Sequence, residues 1–187
     1  RSATWMPRSI EYYYTRTEPD GSRTLVCKSP VTLKERILAR KLPEGNFTMS
    51  PSEDYLIFYE SKEGPKERQD VFEVLTPDDR QPGWRDRTSL SIYDLSAGTT
   101  QPLTYGYRNL YLQDISRDGR KMLLSSVSED YTQRPYQKQD VMLITLPSAP
   151  DAELHVDTIV RGDGFINDAT FSPDGRKILF RASAEAF

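Results

Sequence analysis

The residues able to do chemistry are few and scattered. The chain holds one histidine, His155, and one cysteine, Cys27. A Ser-His-Asp set needs its imidazole within hydrogen-bond reach of a serine on a sharp strand-to-helix turn. No Gly-x-Ser-x-Gly sequence occurs, so His155 reads as a residue beside a strand and no catalytic residue is assigned. One His and one Cys cannot fill the three or four positions of a zinc site, and a lone cysteine closes no internal disulfide. No metal and no cofactor is expected. Cys27 lies in the apolar stretch Thr24-Leu25-Val26-Cys27 and should be a small buried strand residue. Gly162-Asp163-Gly164-Phe165-Ile166-Asn167-Asp168 suggests a calcium loop but lacks the alternating oxygen ligands and the distal Glu. It reads as a turn between repeats. Asn46-Phe47-Thr48 is a glycosylation sequon, incidental because Phe47 falls in an expected strand.

The strongest binding candidate is the segment 61–87. It opens charged with Lys62-Glu63-Gly64-Pro65-Lys66-Glu67-Arg68. Its middle, Val71-Phe72-Glu73-Val74-Leu75, reads as a short helix or strand. It closes on Pro82-Gly83-Trp84-Arg85-Asp86-Arg87. Trp84 with Arg85 and Arg87 offers an aromatic anchor beside charge, a composition enriched at interfaces. The other reading is a long loop folded over its own sheet, with Trp84 covering apolar surface.

The elements that must carry these residues follow from one repeated stretch. Ala169-Thr170-Phe171-Ser172-Pro173-Asp174-Gly175-Arg176-Lys177-Ile178-Leu179-Phe180 reads as strand, tight turn, strand. Pro173 presets φ, Asp174 suits the second turn position, and Gly175 supplies the positive φ needed before the next strand. The unbroken run Ile178-Leu179-Phe180 predicts a strand buried on both faces. Ser116-Arg117-Asp118-Gly119-Arg120-Lys121-Met122-Leu123-Leu124 matches nearly position for position. Ser50-Pro51-Ser52-Glu53-Asp54-Tyr55-Leu56-Ile57-Phe58 keeps the Ser-Pro and the apolar run without the glycine. A degenerate copy opens the chain at Ala3-Thr4-Trp5-Met6-Pro7-Arg8-Ser9, with a strand over Ile10–Tyr14. Ser50, Ser116 and Ser172 stand 66 and 56 residues apart, and Pro7 and Pro51 stand 44 apart. Uneven periods of roughly 40–60 residues with short strands mark propeller blades.

The expected fold is therefore all-β, a partial β-propeller of four-stranded antiparallel blades. About three blades and one hairpin fit in the chain as a single propeller fragment. The first unit spans about 3–46 and includes the hairpin turn Pro19-Asp20-Gly21. Within it Glu35–Arg40 is assigned to an outer strand rather than a helix. The second spans 47–113 with the insertion 61–87 and an outer strand at Gln101–Tyr105. The third spans 114–168, and the fourth, 169–187, is incomplete. Three blades and a hairpin do not close a ring, so open edges would expose apolar sheet. Either further blades of a longer protein cover them or two fragments pair. The chain opens on Arg1 and stops at Phe187, just past its last hairpin, which again suggests a segment of a longer protein.

Composition agrees. Of 187 residues, 36% are apolar and 11% aromatic, too many for disorder. Eleven tyrosines and thirteen prolines favour strands and turns. A net charge of −3 gives no basic face for nucleic acid. No apolar run is long enough to span a membrane. No signal peptide is present, and no compartment is assigned.

The segment Phe171-Ser172-Pro173-Asp174-Gly175-Arg176-Lys177-Ile178-Leu179-Phe180 resembles the WD-repeat-like propeller motif of TolB and of prolyl oligopeptidase family serine peptidases. Gly64-Pro65-Lys66-Glu67, then Leu75-Thr76-Pro77-Asp78-Asp79-Arg80-Gln81-Pro82-Gly83-Trp84-Arg85-Asp86-Arg87, Tyr93-Asp94-Leu95 and the ending Ala182-Ser183-Ala184-Glu185-Ala186-Phe187 are similar to the propeller of bacterial peptidases of that family. The resemblance implies a propeller that precedes an α/β-hydrolase domain, covers its active site, filters peptide substrates by size and helps bind them. The partners it implies are that hydrolase domain and the peptide substrate. The catalytic serine, aspartate and histidine would lie in the hydrolase domain, so none is carried onto this chain. The paired glutamates with which dipeptidyl peptidases hold a substrate amine have no match here. The alternative is a TolB-like module binding a protein partner through its blade loops. A polysaccharide lyase on a propeller would need clustered histidines and metal ligands, and only His155 is available.

Overall fold

The computed structural model describes residues 2–63, 86–106, 108–129, 137–147, 154–162 and 166–182. Every regular element among them is a strand. Strands β1 (Thr4–Trp5), β2 (Tyr12–Thr17), β3 (Arg23–Lys28) and β4 (Glu35–Ala39) make the first sheet, bonded in chain order. Strands β5 (Phe47–Met49), β6 (Tyr55–Lys62), β7 (Arg87–Asp94) and β8 (Thr99–Pro102) make the second. Strands β9 (Asn109–Ile115), β10 (Lys121–Glu129), β11 (Gln137–Thr145) and β12 (His155–Gly162) make the third. Strands β13 (Ile166–Phe171) and β14 (Ile178–Ala182) form a final hairpin. Three four-stranded meanders and a hairpin are the all-β blade series that the repeats predict.

The repeat is a turn with a fixed hydrogen-bond pattern. In each copy the residue before the turn donates its N–H to the carbonyl five residues on. The pairs are Met6–Glu11 at 2.9 Å, Ser50–Tyr55 at 3.0 Å, and Ser116–Lys121 and Ser172–Lys177 at 2.8 Å. The serine hydroxyl then accepts the N–H of that same later residue, at 2.8 Å from Lys121 and 2.9 Å from Lys177. It donates to the turn aspartate at 2.6 Å, Ser116 to Asp118 and Ser172 to Asp174. Each aspartate also accepts a backbone N–H, from Arg120 at 3.0 Å and Arg176 at 3.1 Å. Gly119 and Gly175 take φ of 75° and 68°. In the second copy Glu53 takes the glycine's place at φ 66°. The Pro19-Asp20-Gly21 turn joins β2 to β3 instead, with Asp20 accepting from the Ser22 N–H and hydroxyl at 2.9 and 2.7 Å.

The chain divides into two compact units, Arg1–Tyr59 with Ser91–Leu103, and Glu60–Leu90 with Thr104–Phe187. The first unit buries Met6, Leu25, Cys27, Ala39, Leu42, Met49, Leu56, Phe58 and Tyr93 in one core. An aromatic series crosses it, Tyr13–Phe47 at 6.2 Å, Phe47–Phe58 at 5.4 Å and Phe58–Tyr93 at 6.3 Å. Each such pair contributes about 0.5–1.5 kcal/mol beyond its buried area. The second unit packs Leu123, Val141, Ile166 and Ala169, with Leu143, Val160, Phe171, Ile178, Phe180 and Ala182 around them. The runs after the turns, Tyr55–Phe58 and Met122–Ser126, are buried at every position, hence on both faces.

Several strand limits differ from the sequence reading. The first strand of the third sheet starts at Asn109, not at Asp114. Its polar residues disguised it. Gln113 bonds the Ser125 hydroxyl at 2.9 Å within the sheet, and Asp114 accepts the Phe171 N–H at 2.7 Å and the Thr170 hydroxyl at 2.9 Å from the following hairpin, so both polar groups are satisfied. The last hairpin likewise begins at Ile166 rather than 169. The outer strand of the second sheet is Thr99–Pro102, because Thr104 instead bonds back to Leu90. Ile10 belongs to the turn, and β2 starts at Tyr12. Leu179 is 71% exposed, against the expectation of a strand buried on both faces. Ile178 and Phe180 face the core, and Leu179 points the other way, where no described strand covers it.

Two glycines separate backbone strain from crowding. A Cβ on Gly162 would lie 2.5 Å from Ile166 Cδ1 and 3.3 Å from the Gln139 carbonyl. Gly162→Ala should lower stability by about 1–3 kcal/mol through overpacking around buried Ile166. Gly175→Ala meets no atom within 4 Å and should lose only about 1 kcal/mol, from its positive φ. Urea unfolding checks both, and equal losses would contradict the assignment.

The turns also set an acid response. Asp118 is held below the usual aspartate range by the Ser116 hydroxyl and then the Arg120 N–H, and Asp174 by the equivalent Ser172 and Arg176 groups. A carboxyl whose folded pKa is depressed contributes stability that is present above its unfolded pKa and lost as pH falls through the folded one. Wild type should therefore show a falling urea midpoint below about pH 4, and Asp118→Asn/Asp174→Asn should show a shallower fall. An identical fall in both proteins would remove these two groups from the acid response.

Candidate functional surface

Of the residues singled out for binding, Trp84 and Arg85 lie outside the described residues, as does the Val71–Leu75 segment. Arg87 is the first residue of β7, half-buried, with its guanidinium donating to the Asp86 carbonyl at 2.7 Å. The insertion thus joins the two central strands of the second sheet.

His155 opens the outermost strand of the third sheet and is exposed. Its Nε2 lies 3.0 Å from Asp157 Oδ2, two residues along the same strand and so on the same face. Cys27 is buried in β3. Burial, and then its hydrogen bond to Glu11 at 3.3 Å, push its thiol up to about 11, which keeps it protonated and unreactive. The candidate calcium loop falls partly outside the described residues. Within it, Asp168 takes φ 57° at an irregularity in β13 and pairs with Arg181 at 2.7 Å.

The first sheet carries a surface that sequence reasoning did not find. Tyr13 faces the core, so Tyr12 and Tyr14 face away from it. Trp5 meets Tyr12 edge-on at 6.2 Å, and Tyr12 meets Tyr14 at 6.3 Å. Beside them, Glu35 accepts the Tyr14 hydroxyl at 2.9 Å and the Lys28 ammonium at 3.0 Å, and Arg16 holds Glu18 at 3.0 Å. Lys28, and then Tyr14, hold the Glu35 carboxyl below its ordinary range. This face is a connected polar network with an aromatic stripe.

The end of the same sheet is different in kind. The β1–β2 and β3–β4 turns project from one end, because alternate connections of a meander share an end. Ile10 is 71% exposed in the first turn, and Val31 and Leu33 are 74% and 67% exposed in the second. Trp5, 64% exposed, precedes the first turn by one residue. Glu11 ties the two turns at their base, accepting from Arg36 at 2.8 Å and from Cys27. Leu33 is held at φ 59°. Pro30 gave the only sequence signal here, since a Ser-Pro opening marks a turn, but nothing in the pattern says that the apolar residues beside it stay in solvent.

No protein-family model matches the chain, and no curated protein matches it. Among solved structures it is similar to TolB from Acinetobacter baumannii, with 16% identity, a TM-score of 0.51, and 98% of this chain covering 38% of that one. It is similar to the Pyrococcus horikoshii acylaminoacyl peptidase at 14% identity and a TM-score of 0.52, covering 96% of this chain and 28% of that one. It is also similar to an oligogalacturonate lyase in complex with manganese, at 12% identity and a TM-score of 0.51, covering 90% and 41%. The chain therefore spans well under half the length of each of these proteins. Likeness at this identity establishes the fold: the chain is a partial β-propeller of four-stranded antiparallel blades.

Proposed function

We propose that the chain is a non-catalytic propeller segment of a longer serine peptidase, scaffolding an α/β-hydrolase domain and limiting which peptides reach it. The observation that carries this reading is the structural use made of the turn and strand polar groups. Ser116, Ser172, Asp118 and Asp174 close turns, Asp114 ties β9 to β13, and Glu11 ties two turns together. Such groups build a rigid wall and leave chemistry to another domain. The fold shared with acylaminoacyl peptidase, over 28% of that chain, supports the same reading. The resemblance of Leu75–Arg87 to the propeller of that peptidase family points the same way.

A second reading is a binding propeller of TolB type. The exposed apolar turn tips of the first sheet favour it, since exposed apolar clusters mark interaction sites.

Full-length protein treated with a fluorophosphonate separates the two. The peptidase reading expects one labelled serine, outside residues 1–187, and hydrolysis that falls as peptide length rises. Gly162→Ala, by loosening the second unit, should then relax the length limit while leaving cleavage of the shortest peptides unchanged. Absence of labelling, or labelling within these residues, would overturn it.

A further inference from the structure

The connection from β4 to β5 carries a motif that the proposed function leaves without a role, the sequon Asn46-Phe47-Thr48. Asn46 stands immediately before β5, and Phe47 and Thr48 are that strand's first two residues. Alternation along the strand decides where the side chains go. Phe47 packs against the core of the first unit, and Met49 is part of that core. Thr48 therefore points the other way and is exposed, and Asn46, two residues before it, is exposed as well. In the sequence, a strand position for Phe47 argues against the motif. In the fold, that same position turns the amide and the hydroxyl to solvent on one side.

The backbone around Asn46 is fixed without help from its side chain. The Arg23 guanidinium donates to the Pro43 carbonyl at 3.1 Å and the Gly45 carbonyl at 2.9 Å. Gly45 makes the bend at φ 102°, and the Asn46 carbonyl accepts the Tyr59 N–H at 3.4 Å. Among the described residues, neither the Asn46 amide nor the Thr48 hydroxyl has a hydrogen-bond partner. Asn109 makes the contrast, since its side chain accepts the Thr88 N–H at 2.8 Å and no sequon follows it. A group attached to Asn46 would break no bond of the fold and would displace no core residue. Bulky, hydrated glycans are carried at positions of this kind.

We infer that Asn46 is an acceptor for an N-linked oligosaccharide, carried on the solvent side of β5. The donor is an oligosaccharide on a polyprenyl diphosphate. Asn46 Nδ2 forms a bond to the anomeric carbon while the bond from that carbon to the diphosphate oxygen breaks. The polyprenyl diphosphate leaves with the electron pair, and Nδ2 gives up one proton to a base of the transferase. The Thr48 hydroxyl supplies the second group that a transferase reads in a sequon. Once the sheet forms, Phe47 and Thr48 are paired with Phe58 and Ile57. Transfer therefore takes place on the unfolded chain, and the fold has then to tolerate the product.

The first measurement is peptide mapping of the full-length protein from its own source, with enzymatic release of N-linked glycan converting an occupied Asn46 to Asp. Occupancy at Asn46 is expected, and an unmodified Asn46 would overturn the inference. The second uses full-length protein secreted by cells that supply a dolichyl-diphosphate oligosaccharide. The glycan should be lost in Asn46→Gln and in Thr48→Ala and kept in Thr48→Ser. Glycosylated wild type and Asn46→Gln should share one urea midpoint, because the modified amide bonds nothing in the fold. Persistence of the glycan at this site in Thr48→Ala would overturn the inference, as would a glycosylated chain that fails to fold while Asn46→Gln folds.

Discussion

The backbone bond from the residue before each repeated turn to the residue five later fixes which face every following side chain takes. In a strand a slip of one residue exchanges the two faces completely. The strands that follow, Tyr55–Phe58 and Met122–Ser126, are buried on both faces, so their first N–H has no water to turn to. The serine hydroxyl meets that need at Lys121 and also holds the turn aspartate. One side chain thereby couples turn geometry to strand register. The second copy shows which part of the motif can be spared. It lacks both glycine and aspartate, and Glu53 occupies the left-handed position at a cost of about 1 kcal/mol. A charge-assisted bond from the Arg8 N–H to its carboxylate at 2.7 Å offsets that strain. The first copy has lost the serine to Met6, yet keeps the backbone bond to Glu11. The backbone bond is common to all four copies, and the side chains reinforce it.

That hierarchy explains what could be read from the residues alone. Apolar runs after turn signals identified β6, β10 and β14, because burial and turn chemistry both write themselves into residue type. Strand β9 does not read as a strand start because polar Gln113 and Asp114 stand between its buried Leu110 and Ile115. Gln113 and Asp114 look like loop residues until their partners, Ser125 and Phe171, are placed beside them by the fold. Ile10 was misplaced for the opposite reason. An apolar residue next to three tyrosines reads as a strand, and only the bond from Met6 to Glu11 puts it in the turn. Leu179 shows that a run can encode burial on two faces while only one face is covered by the described strands. The surface at the end of the first sheet was invisible because exposure of an apolar residue has no signature of its own. It arises from which ends of a meander coincide.

The first sheet also has a central strand buried on both faces, at Thr24 to Cys27 of β3, and differs from the other two in the strands that flank it. Strands β6 and β10 are apolar and buried through their central residues on both sides. In the first sheet, Leu25, Cys27 and Ala39 serve the core, while Tyr12, Tyr14, Arg16, Lys28 and Glu35 satisfy one another on the other side. An apolar face would have to be covered to be stable. Here Lys28 and Arg16 are paired with Glu35 and Glu18, and Trp5, Tyr12 and Tyr14 meet edge-on and tilted.

The exposed apolar tips of the first sheet stand beside a face that carries Trp5 and Ile37 as well as paired charges. They are not a by-product of weak turn chemistry. The turn bonds around Ser29, Thr32 and Lys34 hold Leu33 in a conformation its side chain disfavours. Asn at that position would remove both the backbone strain and the exposed apolar area. Leu33 thus loses on two counts, and its turn holds it there in spite of both. Glu11 ties the first of these turns to β3 and β4, through Cys27 and Arg36.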